Sequence, residues 1–293
     1  MIEVHALTKA YGNNKGIFDL SFRVNQNEIF GYLGPNGAGK TTTIRHLLGF
    51  IKADNGTCSV IGYDCWKDAA EVQYSLGYLP GEISFFDHMS GKEFLAFMTA
   101  MRGMKNTKRQ TELIDRFNLD VRTNIRKMSK GMKQKLGIIT AFMHDPTVYI
   151  LDEPTSGLDP LMQTTFVELI LEEKARGKTI LMSSHSFEEI DRTCDRVGII
   201  REGKVVAIED IHSLKAAQRK AFVITVESQA DIDWIRESKL EISNSSGNRV
   251  EVVVSGDFQH LFHTLAKCKV TGFDHRTQNL EQLFMKYYGS KGQ

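Results

Sequence analysis

Proline is scarce, at five in 293 residues, which excludes long Pro-rich or disordered linkers. Cysteine is nearly as sparse. Cys58, Cys65, Cys194 and Cys268 are scattered, with neither C-x-x-C pairing nor a histidine spacing that suits zinc, so reduced structural thiols are expected and no redox role. Long apolar runs are missing too. No stretch approaches the roughly 18 apolar residues that cross a bilayer, and the start MIEVHALTKAYG has no charged region followed by an apolar one. The chain is therefore expected to be made in, and to stay in, the cytosol, so that any work at a membrane needs another protein to hold it there. Charge imbalance is also absent. The 37 Lys and Arg against 36 Asp and Glu leave a net +1, which supplies no global attraction to nucleic acid or to an anionic membrane. The local exception is RTNIRKMSKGMKQK from Arg122 to Lys135, six basic residues without an acid, which reads equally as a solvated face or as a functional one.

What is present is enough for one large domain and a small appendage. IEVHAL, IFDLSFRV and EIFGYLG read as strands separated by Gly12-Asn13-Asn14 and Asn25-Gln26-Asn27. The third run ends in glycines and passes into TTTIRHLLGF, where Ile44, Leu47 and Leu48 recur at helical spacing. GKEFLAFMTAMRGM places Phe94, Leu95, Met98 and Met101 on one predicted helical face, and helical patterning continues with interruptions to Phe142. VYILDEP and TILMSSH then read as strands, each followed by a helix, and GIIREGKVVAI as a hairpin about Glu202-Gly203. Strands alternating with helices imply a parallel sheet covered on both faces.

After about Gln218 a new series begins, in the order β-α-β-β-α-β of the ferredoxin-like arrangement. AFVITVE, LEISNS, RVEVVVS and KVTGFDH are its strands, DIDWIRES its first helix, and DFQHLFHTLAK a second with Phe258, Leu261, Phe262 and Leu265 on one face. A final helix is expected over NLEQLFMKYYG, with Asn279 and Gln282 at capping-box spacing and a stop at Gly289.

Gly34-Pro35-Asn36-Gly37-Ala38-Gly39-Lys40-Thr41 fits G-x-x-x-x-G-K-[ST] between a strand and a helix. Glycines let backbone amides curl round phosphates, and the following helix presents free amides and its positive dipole end. Lys40 is expected to reach the β- and γ-phosphates of ATP, Thr41 to bind Mg²⁺ and Thr42 the α-phosphate. Asp152 and Glu153 close the apolar run Val148-Tyr149-Ile150-Leu151. A strand ending beside the nucleotide offers Asp152 to Mg²⁺ through its water shell and Glu153 to the attacking water. These two motifs define a P-loop nucleotide hydrolase.

Ser129-Lys130-Gly131-Met132-Lys133-Gln134 resembles the LSGGQ signature of ABC ATPases, departing from it at Met128, Lys130, Met132 and Lys133. Ser129 reads as a helix N-cap, which aims a dipole and a hydroxyl at an anion. By that resemblance Ser129 and Gly131 face the γ-phosphate held by a second ATPase subunit, and Ser156-Gly157-Leu158-Asp159 matches the family's D-loop at the dimer interface. His185 matches the switch histidine that contacts the γ-phosphate and orients Glu153. Tyr11 matches the aromatic that stacks on adenine, though a core role is the other reading of it. The resemblance spans about residues 2 to 215.

It implies an α/β ABC ATPase domain over residues 1–217, with an antiparallel β region and a helical subdomain at about 85–145, and an α+β accessory domain over 218–293 like those on the ATPase subunits of drug, antibiotic and peptide exporters. It further implies a homodimer on ATP binding, a separately encoded transmembrane permease, and attachment to the cytoplasmic face of the membrane through that permease. No nucleic-acid partner is expected. One departure concerns coupling. After Leu76-Gly77-Tyr78-Leu79-Pro80 the family places a glutamine, and this chain has Gly81 followed by Glu82. Glu82 either takes over part of that role or is a solvated loop acid. The departure also leaves open a non-transporting regulatory ATPase. ATPases that act on DNA ends or ribosomes carry long coiled coils or two cassettes, and neither is present.

Overall fold

The computed structural model describes residues 1–13, 15–216, 220–254 and 258–277. Two compact units divide at residues 211 and 212. The boundary expected at 217/218 falls among residues outside the described set, as does the helix expected over 279–289.

The first unit contains two sheets. An antiparallel one has the order β2-β1-β4-β5, from β1 (Ile2–Ala10), β2 (Gly16–Val24), β4 (Asn55–Val60) and β5 (Tyr63–Asp64). The other has the order β10-β9-β3-β8-β7-β6, from β3 (Ile29–Leu33), β6 (Leu76–Leu79), β7 (Val148–Asp152), β8 (Thr179–Ser184), β9 (Arg196–Arg201) and β10 (Lys204–Asp210). It is parallel except for the β9–β10 hairpin. Every residue of β3, β7 and β8 is buried, as near-continuous apolar runs require when both faces of a sheet are covered. The register sets Leu33 beside Ser184 and Asp152 beside Ser183. The carboxyl ends of three strands thus meet along one rim, where open α/β sheets bind ligands.

Helices α1 (Lys40–Leu47), α2 (Ala69–Ser75), α6 (Pro160–Ala175) and α7 (Phe187–Thr193) accompany these sheets, and α8 (Ile211–Ala216) begins at the division between the units. The helical region consists of α3 (Gly91–Met101), α4 (Lys108–Arg116) and α5 (Lys130–Phe142). In α3, Phe94 and Leu95 are buried as expected, but Met101 is 67% exposed. It stands at the last residue of the helix, where little remains to pack over it.

The helical region is tied to α6 by charge. Glu173 is fully buried and accepts from Arg109 Nη2, Arg176 Nη1 (2.8 Å) and the Tyr149 hydroxyl (3.1 Å), while Arg116 Nη2 donates to Glu172 at 2.9 Å. Removing one partner of such a group strands the others at low dielectric, so Glu173→Ala is expected to cost about 3 kcal/mol. Urea unfolding checks this, and an unchanged midpoint would show the network to be energetically idle.

The second unit has β11 (Lys220–Val226), β12 (Glu241–Ser246), β13 (Arg249–Val254) and β14 (Val270–Thr277) in one antiparallel sheet ordered β12-β13-β11-β14, with α9 (Gln229–Glu237) and α10 (Gln259–Leu265). This is the expected β-α-β-β-α-β order, and its own core joins Phe222, Ile224, Ile232, Ile235, Val252 and Leu261. Phe262 corrects the sequence reading. It is 59% exposed, because α10 turns Leu261, Thr264 and Leu265 inward and the next position round lies about 100° away.

Candidate functional site

The loop between β3 and α1 is shaped by its glycines. A Cβ on Gly34 would lie 2.5 Å from the Ile200 carbonyl oxygen, and Gly39 has φ +113° with Ile17 2.9 Å from its would-be Cβ. Only glycine fits both positions. Gly39 is also the N-cap of α1, which has no side-chain cap and no acid in its first turn. Those amides are left to an anion. Lys40 is 5% exposed, and its Nζ donates to the carbonyls of Gly34 (2.7 Å) and Pro35 (3.3 Å) and lies 3.5 Å from Glu153 Oε1.

The β7 carboxylates face this loop. Thr41 Oγ1 donates to Asp152 Oδ2 at 2.8 Å, and Ser183 on β8 donates to Asp152 Oδ1. Glu153 adopts φ +48°, a left-handed conformation uncommon for a non-glycine residue and held by two hydrogen bonds from its amide to Ser183. Asn36, Gly37, Gly39, Lys40, Thr41, Thr42, Asp152 and Glu153 line one cavity of about 440 Å³, room enough for a small-molecule ligand. Burial and the nearby Asp152 carboxylate push the Tyr78 phenol on its wall up to about 12. Among the described residues no three carboxylate, imidazole or thiol side chains converge on a metal position. A hydroxyl and one carboxylate, paired on a cavity wall, suit Mg²⁺, which binds through one or two protein oxygens together with phosphates and water.

A second cavity of about 340 Å³ adjoins at Glu153 and is lined by Thr155, Ser156, Gly157, His185 and Glu189. His185 Nδ1 is 3.4 Å from Glu153 Oε2, so Glu153 stands between Lys40 and His185. Burial raises the Glu189 carboxyl. Ser129 caps α5 by accepting from the Met132 amide at 3.2 Å, and Asp159 caps α6 through the Met162 amide at 3.0 Å. Neither Ser129, Gly131 nor Asp159 lines the first cavity, and the same holds for Gly34 and Ala38. Tyr11 does not line it either, and at 54% exposure it is no core residue.

Sequence reasoning missed Ser183, Arg45 and Tyr78. The last two lie on the cavity wall, and Ser183 orients both Asp152 and Glu153. The only sequence signal for Ser183 was a polar residue closing the apolar run TILM. Gly81 lines the cavity so closely that a Cβ there would sit 3.3 Å from Asp152 Oδ2, and Glu82 lines it beside Gly81.

Residues 17–156 match the family described as ABC transporter. The chain is 31% identical to the linearmycin resistance ATP-binding protein LnrL of Bacillus subtilis (strain 168), over 99% of its own length and 98% of that protein. It is 36% identical to the bacitracin transport ATP-binding protein BcrA of Bacillus licheniformis, over 83% of its length and 80% of that protein. The fold is shared at 18% identity with a solved structure described as a dimeric, post-hydrolysis state of the ATP-binding cassette MJ0796 bound to ADP and Pi, with TM-score 0.65 over 72% of this chain and 99% of that one. Glycine loop, paired strand-end carboxylates and a relative matched end to end agree: the chain belongs to the ABC transporter family, among its ATP-binding subunits.

Proposed function

We propose that this chain is the Mg²⁺-dependent ATPase motor of an exporter, acting as a pair of copies on a separately encoded membrane permease. The observation that carries the reading is Glu153, held in a left-handed conformation between the cavity of Lys40, Thr41 and Asp152 and the cavity of His185. Lys40 binds the β- and γ-phosphates, Thr42 the α-phosphate and Tyr11 the adenine. Thr41 and Asp152 would hold Mg²⁺, which would supply charge neutralisation on the phosphates. Glu153 takes the proton of the attacking water, and His185 orients both. A second copy supplies Ser129 and Gly131 to the γ-phosphate, with Asp159 at the interface. The dimeric form of the MJ0796 cassette supports pairing, and the resistance and transport roles in the names of LnrL and BcrA support export. No helix among the described residues is long and apolar enough to cross a membrane, which fits a motor attached to the cytoplasmic face through its partner.

A regulatory ATPase is the second reading, favoured by Gly81 where the family has its coupling glutamine. Affinity purification from detergent-solubilised membranes separates the two, because only the exporter requires a stoichiometric polytopic membrane protein. The proposed division into an ATPase domain (1–217) and an accessory domain (218–293) is tested by a chain ending at residue 217. It should retain ATP affinity, since every proposed phosphate contact lies upstream, and weakened binding by a folded truncated chain would refute the division.

Glu82 is proposed to stand in for part of the glutamine. Glu82 lines the same cavity as Asp152, and hard Mg²⁺ accepts carboxylate oxygen readily. Glu82→Ala is expected to weaken Mn²⁺ binding to the ADP complex, read by electron paramagnetic resonance, about threefold. Identical Mn²⁺ titrations of the two proteins would leave Glu82 a solvated acid.

A further inference from the structure

The first turn of α5 is fastened to the loop that follows Glu153. Gln134, 3% exposed, donates from Nε2 to the Pro154 carbonyl at 2.7 Å. A Cβ on Gly131 would lie 2.9 Å from the Gly157 carbonyl oxygen, so the two backbones meet directly. Lys130 supplies the third contact, since its Nζ donates to Ser156 Oγ at 3.2 Å. Its stem lies across Gly157, whose φ is +80°, and a Cβ there would sit 3.0 to 3.1 Å from Lys130 Cγ, Cδ and Cε. The signature that this segment resembles has glycine where Lys130 stands, so this contact comes from a side chain that the signature itself does not supply.

The loop is equally bound at its other end. The Ser156 amide donates to the Glu153 carbonyl at 3.1 Å, and Glu153 reaches Lys40 and His185 with its two oxygens. Lys130 is exposed, but its stem rests against Gly157 and the Gly131 and Gly157 backbones meet directly, so a displacement of α5's first turn is passed to Ser156 and through its amide to the backbone of Glu153.

We propose that Lys130 is a positioning residue for ATP hydrolysis: its ammonium, on the Ser156 hydroxyl, couples the anion-capturing turn at Ser129 to the loop that sets Glu153 in the same copy. Capture of the second copy's ATP is then registered at the first copy's own carboxylate. This rests on the paired ATPase proposed above.

The test uses the full chain with Lys130→Met, which keeps the stem, Lys130→Arg, which keeps a cationic donor, Ser156→Ala, and the Lys130→Met/Ser156→Ala double variant. Lys130→Met and Ser156→Ala are each expected to lower kcat about fivefold with KM unchanged, and to bring the Hill coefficient for ATP from about 2 towards 1. The double variant should be no slower than either single one, since both remove one contact. Lys130→Arg should recover most of the rate. In a Glu153→Gln background, Lys130→Met should still pair on ATP, as Ser129 and Gly131 are untouched. An unchanged kcat, losses that multiply in the double variant, or loss of pairing in step with kcat, as a direct phosphate ligand would give, each overturn the inference alone. Failure of Glu153→Gln by itself to pair on ATP would instead sink the paired reading and the inference with it.

Discussion

Glu153→Gln is expected to bind ATP and to hydrolyse it at least about 100-fold more slowly, the range that a positioned general base contributes. The amide keeps the shape of the side chain, so the left-handed backbone and its two hydrogen bonds to Ser183 are retained. What is lost is a base for the water's proton. A second consequence follows from the ion pair with Lys40 at 3.5 Å. Lys40 no longer has a carboxylate competing with phosphate for its ammonium, so ATP affinity should hold or rise. With hydrolysis stopped, ATP-bound copies should accumulate as a dimer on size-exclusion chromatography and revert to monomer when ATP is withdrawn. Turnover near the wild-type rate would remove Glu153 from the role proposed for it.

Lys40→Ala is expected to weaken ATP binding on the order of 100-fold and to bring hydrolysis to background, since this cation is the one proposed to carry the protein's own direct charge to the β- and γ-phosphates. Its ammonium is preorganised by the Gly34 and Pro35 carbonyls and is nearly excluded from solvent, which strengthens each charge-assisted contact and spares ATP the cost of ordering a flexible side chain. The fold should survive. The start of α1 is secured independently by the Thr43 amide on the Gly39 carbonyl at 2.9 Å, and Tyr32 and Thr43 pair hydroxyl to hydroxyl beneath it. Equilibrium binding of a fluorescent ATP analogue, with circular dichroism as the folding control, measures the effect. Undiminished affinity would mean that the nucleotide lies elsewhere.

Local signals in the sequence proved to be the dependable ones. The run VYILD is a wholly buried strand, and Ser129 caps α5. Glu202 and Gly203 both take positive φ in the β9–β10 turn, as a two-residue hairpin demands. Signals that depend on which neighbour covers a residue were less so. Met101 and Phe262 carry the right periodicity yet face outward, because helical spacing says which residues share a face and not where the covering element stops. The β4–β5 hairpin, turning at Ile61 and Gly62 with φ +54° and +84°, went unread because strands this short and half-exposed lack a clear alternation.

The sequence by itself determined the chemistry on offer: a glycine loop able to wrap phosphate, a lysine and a threonine at the head of a helix, and two carboxylates at a strand end. Each is written in consecutive residues, and glycine conformation, helix ends and strand ends are local properties. Only the tertiary structure decided what these groups meet. β8 lies between β3 and β7, so Ser183 orients Asp152 and His185 comes to Glu153. Gly81 comes against Asp152, and Lys130 reaches Ser156 across 26 residues of chain. Such meetings follow from strand order and from the packing of distant segments, which have no periodic signature in the chain because they are selected by the joint burial of all the elements at once.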